Sequence, residues 1–417
     1  MFAGKAETSW GERLSLLSLA AGLFLVSQQA EALGQSGPRV LAQARRLMVA
    51  EEIEAQGIEN ERLLAAMREV PREQFLPLSK RQFAYLNVAV TYGEGQVVLP
   101  PLVTAHAIEQ LDPQTTDKVL VVGTGSGYST AVLSRLAREI YTVEINPEIA
   151  KEAEETLRHL KYMNVKVRCG DGFEGWKEHA PYQRIIVECS PESVPRPLVD
   201  QLAEGGTLLI PVGDEFDQTM HLCKKENGQL VTLSLWPTLL VPMKGKAEEL
   251  RSQSEMPREP SLLNGGFEDL VEGTTDLPAN WFYVRQGHVV DDPLCPEGKR
   301  ALQLANKTPG AVAVALQAFP VDGKKIAELS LSFSIRGIDV RPGQNRGQLP
   351  RMEIRFFDEK RRFVGGDWTG GWNMTFDWIK KERLFAVPRQ AKFAVIRLSL
   401  GGGTGEIRFD DLKLAYQ

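Results

Sequence analysis

The stretch VLVVGTGSGYSTAVL, Val119 to Leu133, constrains this chain more than any other. A run of apolar β-formers leads into three alternate glycines, and residues with helical spacing follow. That order reads as a buried strand, a tight loop and a helix. Gly123, Gly125 and Gly127 lack a Cβ, so a ligand can approach the backbone closely, with Thr124 and Ser126 between them. The start of the following helix favours negative charge. Tyr128 stands where the dinucleotide pattern GxGxxG has its last glycine, which argues against a nicotinamide dinucleotide.

Two acids narrow the ligand. Glu144 ends the next strand-like run, IYTVEI, 17 residues after Gly127, where a carboxylate accepts from both ribose hydroxyls. Asp171 ends a third run in CGDGF, beside Gly172, where a carboxylate accepts from an adenine amino group. Singly, each acid reads equally as a solvated strand-end carboxylate. Together with the loop they read as a site for an adenosine cofactor lacking a pyrophosphate, which points to S-adenosylmethionine.

Around this centre, KVLVV, IYTVEI, VKVRC, RIIVEC and GTLLIPV alternate with helical segments from Lys118 to about Val241. The pattern predicts an α/β fold with a mostly parallel sheet covered on both faces. Helical spacing of Leu63, Leu64 and Met67 precedes it and stops at Pro71. Domain boundaries are expected at 39–246 for the catalytic unit, 247–260 for a polar linker with two prolines, and 261–417 for a second unit. There the apolar period becomes two, as in LSLSFSI (Leu329 to Ile335), which predicts an antiparallel β-sandwich.

The first 32 residues stand apart. Lys5 and Arg13 precede the uncharged run Leu14 to Val26, and Ala30-Glu31-Ala32 offers small residues for cleavage. This reads as a signal peptide, too short for a membrane span, and implies export to a periplasmic or extracellular space. The alternative is an amphipathic N-terminal helix on a cytoplasmic protein. A net charge of −5 without a basic run argues against a nucleic-acid partner. The four cysteines form no CxxC and read as buried free thiols, and five scattered histidines speak against a His-based metal site in the catalytic unit.

GTGSGY, GDGFEGW (Gly170 to Trp176), AMREVPREQFLP (Ala66 to Pro77) and IPVG (Ile210 to Gly213) together resemble protein-L-isoaspartate O-methyltransferases. The resemblance runs from about Arg39 to Lys246. It implies a Rossmann-like fold and methyl transfer from S-adenosylmethionine to the α-carboxylate of isoaspartyl residues in damaged proteins, a repair reaction. By motif, Gly123, Gly125, Gly127, Glu144, Asp171 and Gly172 would hold the cofactor. The acceptor carboxylate, with a pKa of about 4, is already ionised at neutral pH, so no general base is required.

The family reads GQTIS followed by a proline, with both hydroxyls near the isoaspartyl carboxylate. Here Gln96 is kept, Val97 replaces the threonine and Leu99 the serine, while Asn87 stands where an aspartate is common. These four would form the acceptor side, with transfer weakened by the lost hydroxyls.

LLNGGFED (Leu262 to Asp269) and IRFDDLKL (Ile407 to Leu414) resemble the ends of galactose-binding-like jelly rolls. Glu268 with Asp410 or Asp411 reads as a structural calcium site or as solvated turn acids. Trp368, Trp372 and Trp378 read as a glycan-stacking surface or as core. A second function follows: a catalytically weak scaffold whose sandwich binds glycan or envelope components.

Overall fold

Prolines and asparagines start most helices of the first domain. In the computed structural model, which describes residues 37–92, 96–252, 259–343 and 348–417, α1 (Pro38–Glu52) begins on a proline whose fixed φ suits the first turn. Asn60 caps α2 (Glu61–Glu69), its Oδ1 accepting from the N–H groups of Arg62 and Leu63 at 3.1 and 3.2 Å. Leu63, Leu64 and Met67 are buried, as their spacing predicts, and the helix ends before Pro71. The signal-peptide reading lies outside the described residues.

A short antiparallel hairpin, β1 (Val90–Tyr92) and β2 (Gln96–Val98), leads into α3 (Pro101–Leu111). The central sheet then alternates with helices: β3 (Lys118–Val122), α4 (Tyr128–Ser134), β4 (Glu139–Glu144), α5 (Pro147–His159), β5 (Val165–Cys169), β6 (Tyr182–Val187), α6 (Arg196–Gln201) and β7 (Leu202–Gly213). An antiparallel pair, β8 (Gln218–Glu226) and β9 (Gln229–Thr238), completes seven strands in the order β5-β4-β3-β6-β7-β8-β9. The first five are parallel. Along β3, Val119 and Val121 join one apolar cluster while Leu120 and Val122 join the other. A strand buried on both faces therefore needs an unbroken apolar run. The strand order reverses at β3, which puts a crevice at its carboxyl end, where Gly123 begins the loop.

Residues 247–252, read from sequence as the start of a linker, belong to α7 (Lys246–Ser252). Its Ala247 is buried, and Arg251 donates to the Ser190 carbonyl at 3.0 Å.

The remaining strands are β10 (Phe282–Arg285), β11 (Gly287–Asp291), β12 (Arg300–Asn306), β13 (Val314–Pro320), β14 (Glu328–Arg341), β15 (Arg351–Phe357), β16 (Phe363–Gly370), β17 (Met374–Ala386), β18 (Phe393–Ser399) and β19 (Thr404–Tyr416). They build two five-stranded antiparallel sheets, β10-β13-β18-β15-β16 and β11-β12-β19-β14-β17. Inward residues of both sheets share one core that includes Trp281, Phe319, Phe333, Phe356 and Phe409. In β14, Leu329, Leu331, Phe333 and Ile335 point inward, matching the period-two pattern. No helix among the described residues is long and apolar enough to cross a membrane.

The sandwich is seated on the first domain by named contacts. Arg285 pairs with Glu52 at 3.2 Å and Arg361 with Glu215 at 3.6 Å. Asn280 donates to Asp217 at 3.0 Å. The Tyr283 hydroxyl and the Arg285 guanidinium both donate to the Asn87 carbonyl, at 3.3 and 3.4 Å.

Candidate active site

A cleft of about 3030 Å³ runs from the carboxyl end of β3 to the sandwich. Its cofactor end is lined by Gly123, Thr124, Gly125, Ser126, Glu144 and Gly172. Gly123, Gly125 and Gly127 have φ of 93°, 52° and 87°, so the loop adopts a left-handed path that side chains resist. Gly172 meets a different limit: a Cβ there would lie 2.4 Å from Val122 Cγ1.

Glu144, nearly buried at the end of β4, faces the loop across the crevice. Its Oε2 accepts from Gly125 N–H and its Oε1 from Asn146 N–H, each at 3.1 Å. Two hydrogen bonds fix the carboxylate and leave acceptor capacity on both oxygens, which suits a diol. Tyr92 adds a further mark of a ligand. Its buried hydroxyl has no partner and lies against Gly125, and burial, then Glu144 and Glu188, push its pKa up. An adenosine cofactor fits these residues.

The other residues expected here make bonds within the chain. Thr124 turns inward, its Oγ1 2.7 Å from Thr142 Oγ1, and so ties β4 to the loop. Ser126 Oγ accepts weakly from Tyr128 N–H at 3.4 Å. Gly127 caps α4 behind the loop and does not line the cleft. Neither does Asp171, whose Oδ1 accepts from Phe173 N–H at 2.9 Å and Oδ2 from Lys246 N–H at 2.8 Å. Those bonds anchor the start of α7, and Gly172 takes the facing position.

Glu188 was not singled out by the sequence reading. It directly follows β6 and lines the cleft, and Ser129 Oγ donates to its Oε2 at 2.8 Å. Burial pushes its pKa up to about 7, with the Ser129 bond acting the other way. The signal was present: RIIVE ends on an acid as IYTVE does.

On the acceptor side, Asn87, Gln96, Val97 and Leu99 all line the cleft. The Asn87 side chain is already engaged, accepting from Leu102 N–H at 3.2 Å and donating to Glu52 at 3.3 Å. Leu99 packs on the apolar core, and its carbonyl accepts from Arg72 Nη2 at 2.8 Å. Val97 is exposed and lies directly across the hairpin from Thr91, which also lines the cleft. Opposed residues of an antiparallel pair share a face, so Thr91 brings a hydroxyl beside Val97.

In the sandwich, the acids read as a calcium site or as turn acids are engaged by other groups. Glu268 Oε1 accepts from the N–H groups of Lys299 and Arg300 at 2.6 and 2.8 Å, and Asp410 Oδ2 from Glu297 N–H at 2.8 Å. Asp411 is neutralised by Lys380 and Lys413. No group of three or more His, Cys, Asp or Glu side chains among the described residues is arranged to hold a metal. Trp372 packs on Phe333 and Phe409, while Trp368 and Trp378 stand on different sheets. The cysteines are free, but only Cys223 is fully buried and Cys169 is exposed.

A parallel sheet with a glycine loop after its first strand and a fixed carboxylate after its second defines a Rossmann-like, S-adenosylmethionine-dependent methyltransferase. The sequence model of the family described as protein-L-isoaspartate(D-aspartate) O-methyltransferase matches residues 43–248. A Gloeobacter violaceus protein-L-isoaspartate O-methyltransferase is 43% identical over 197 residues, which is 47% of this chain and 96% of the relative. One from Pelotomaculum thermopropionicum is 41% identical over 203 residues, 48% of this chain and 89% of its own. A solved protein-L-isoaspartate O-methyltransferase is similar at 25% identity and a TM-score of 0.45, covering 59% of this chain and 86% of that one. The chain belongs to the protein-L-isoaspartate O-methyltransferase family.

Proposed function

We propose that this protein transfers the methyl group of S-adenosylmethionine to the carboxylate of L-isoaspartyl residues in damaged polypeptides. The observation that carries the reading is Glu144, fixed by Gly125 and Asn146 N–H groups opposite the glycine loop, in the same cleft as the Gln96–Leu99 segment. The family match over residues 43–248 includes both Glu144 and the Gln96–Leu99 segment, and the similar relatives are named for this activity.

When bound, the cofactor supplies a methyl group activated by its sulfonium. The residues of this chain then have two tasks, position and dryness. Arg72 fixes the backbone at Leu99, and the hairpin sets Thr91 and Val97 side by side toward the acceptor. Leu99, Val103 and Trp236 give the cleft apolar walls. Holding two reactants in line is worth up to about 7–11 kcal/mol, so a site without a general base remains competent for an ionised acceptor.

The test is label transfer from methyl-labelled S-adenosylmethionine to an isoaspartyl peptide, with its aspartyl isomer as control. Label on the isoaspartyl form alone is expected. Equal label on both, or none on either, ends this reading.

A further inference from the structure

The sheet β10-β13-β18-β15-β16 turns one face to its core and the other to the cleft. Met352, Ile354 and Phe356 of β15 and Ala394, Ile396 and Leu398 of β18 are inside. By alternation Arg351, Glu353 and Arg355, with Val395 and Arg397, are on the opposite face. Arg397 is the direct cross-strand partner of Glu353. Arg355 and Arg397 line the same cleft as Gln96–Leu99.

Charge on this face is unbalanced. Arg351, Arg355 and Arg397 all pair with the one carboxylate of Glu353, the first and last at 3.7 Å. Three cations against one anion leave two positive charges in excess. The neighbouring arginines have other duties, since Arg285 and Arg361 form the ion pairs that seat the sandwich on the first domain. Residues Trp236 to Leu240 of the first domain line the cleft too and carry no charge. Nothing from that stretch neutralises the excess.

The face is also tied to the acceptor segment. Phe282 pairs with Leu316, and Leu316 with Arg397, so Arg397 lies two strands from β10. Next to Phe282, Tyr283 holds a left-handed φ of 55° and donates to the Asn87 carbonyl. An aromatic residue adopts that conformation only when its surroundings enforce it. Two strand spacings amount to about 10 Å, or three residues of extended peptide.

We infer that this face of the sandwich is the far wall of the acceptor site, and that Arg355 and Arg397 bind an acidic stretch of the polypeptide substrate three or more residues from the methylated one. The inference rests on the methyl-transfer reading and adds a substrate class to it. The sandwich then selects among damaged polypeptides by charge.

The experiment uses the full chain and three isoaspartyl peptides, with Asp-Asp, Asn-Asn or Lys-Lys placed three to five residues from the isoaspartyl position. At low salt the acidic peptide is expected to exceed the neutral one about tenfold in kcat/KM. That ratio should fall to about one in Arg355→Gln with Arg397→Gln, and rise in Glu353→Gln. The opposite sign of the last change cannot come from misfolding. Equal rates on all three peptides, or a ratio unmoved by the arginine pair, overturns the inference. If no peptide is methylated, the transfer reading fails by itself, and anisotropy of the fluorescein-labelled acidic peptide decides the wall separately. Binding weakened about tenfold by the arginine pair and strengthened by Glu353→Gln supports it, and binding indifferent to both overturns it.

Discussion

Arg72 and Leu99, 27 positions apart, are joined by a hydrogen bond of 2.8 Å from the guanidinium to the leucine carbonyl. Arg72 is fully buried, and its other terminal nitrogen donates to the Ala84 carbonyl at 2.7 Å. One side chain thus sets the backbone on both sides of the hairpin that carries Thr91 and Val97. Arg72→Met leaves two carbonyls without a donor, at about 1–3 kcal/mol each. Urea unfolding should show a loss of about 2–6 kcal/mol, and Arg72→Lys, which keeps one donor, a smaller loss.

The two departures on the acceptor side should separate. Val97 is exposed beside Thr91, so Val97→Thr adds a hydroxyl at little cost in packing. A bond to a charged acceptor is worth about 1.5–3 kcal/mol, which predicts a rise in kcat/KM of about tenfold or more. Leu99 packs on the core, so Leu99→Ser is expected to lower stability by about 1–3 kcal/mol and gain no rate. Thr91→Val should lower kcat/KM by about tenfold. Steady-state kinetics on an isoaspartyl peptide, paired with melting curves, checks all three.

Glu144→Ala removes the carboxylate that faces the loop while leaving the fold, since its two partners are backbone groups at the edge of the crevice. Affinity for S-adenosylmethionine should drop by about 1.5–3 kcal/mol, roughly tenfold or more. Titration calorimetry on the native chain and the variant reads this directly. An unchanged affinity removes Glu144 from the cofactor site.

Glu188 gives the protein a pH dependence. Its pKa is raised from 4.5 to about 7 by burial, so between those values the folded chain holds a proton that the unfolded chain has released. Its contribution to stability is therefore fully present below about pH 4.5 and is lost as pH rises through about 7. Glu188→Gln cannot ionise and should be more stable than the native chain at pH 8, by up to about 3 kcal/mol, and equal to it near pH 4. Urea midpoints at both pH values measure this. A cationic cofactor favours the ionised carboxylate, so native affinity should rise through pH 7, and the variant should lose that rise.

Much of the fold was legible because it is written in local patterns. The alternation of strands and helices from Lys118 onward, the glycine loop and the period-two runs after Leu329 each reflect a short-range periodicity, and each became the element it predicts. The place of Glu144 was legible for the same reason, at the end of a strand whose neighbour carries the loop. The bond from Lys246 N–H to Asp171 was not, because the two lie 75 residues apart. The contacts of Leu99 were not legible either, because only the folded chain brings the Arg72 guanidinium and the apolar core to it.

The sequence by itself determined the alternating strands and helices of the central sheet, the period-two strands after Leu329 and the chemistry of the cofactor loop, since these follow from residue type and spacing within a few turns of chain. Only the tertiary structure decided which acids face the cleft, which are held by backbone N–H groups, and that the sandwich borders the acceptor segment. Those outcomes depend on hydrogen bonds across as many as 198 residues, as between Arg285 and the Asn87 carbonyl, and no local pattern encodes a partner so distant.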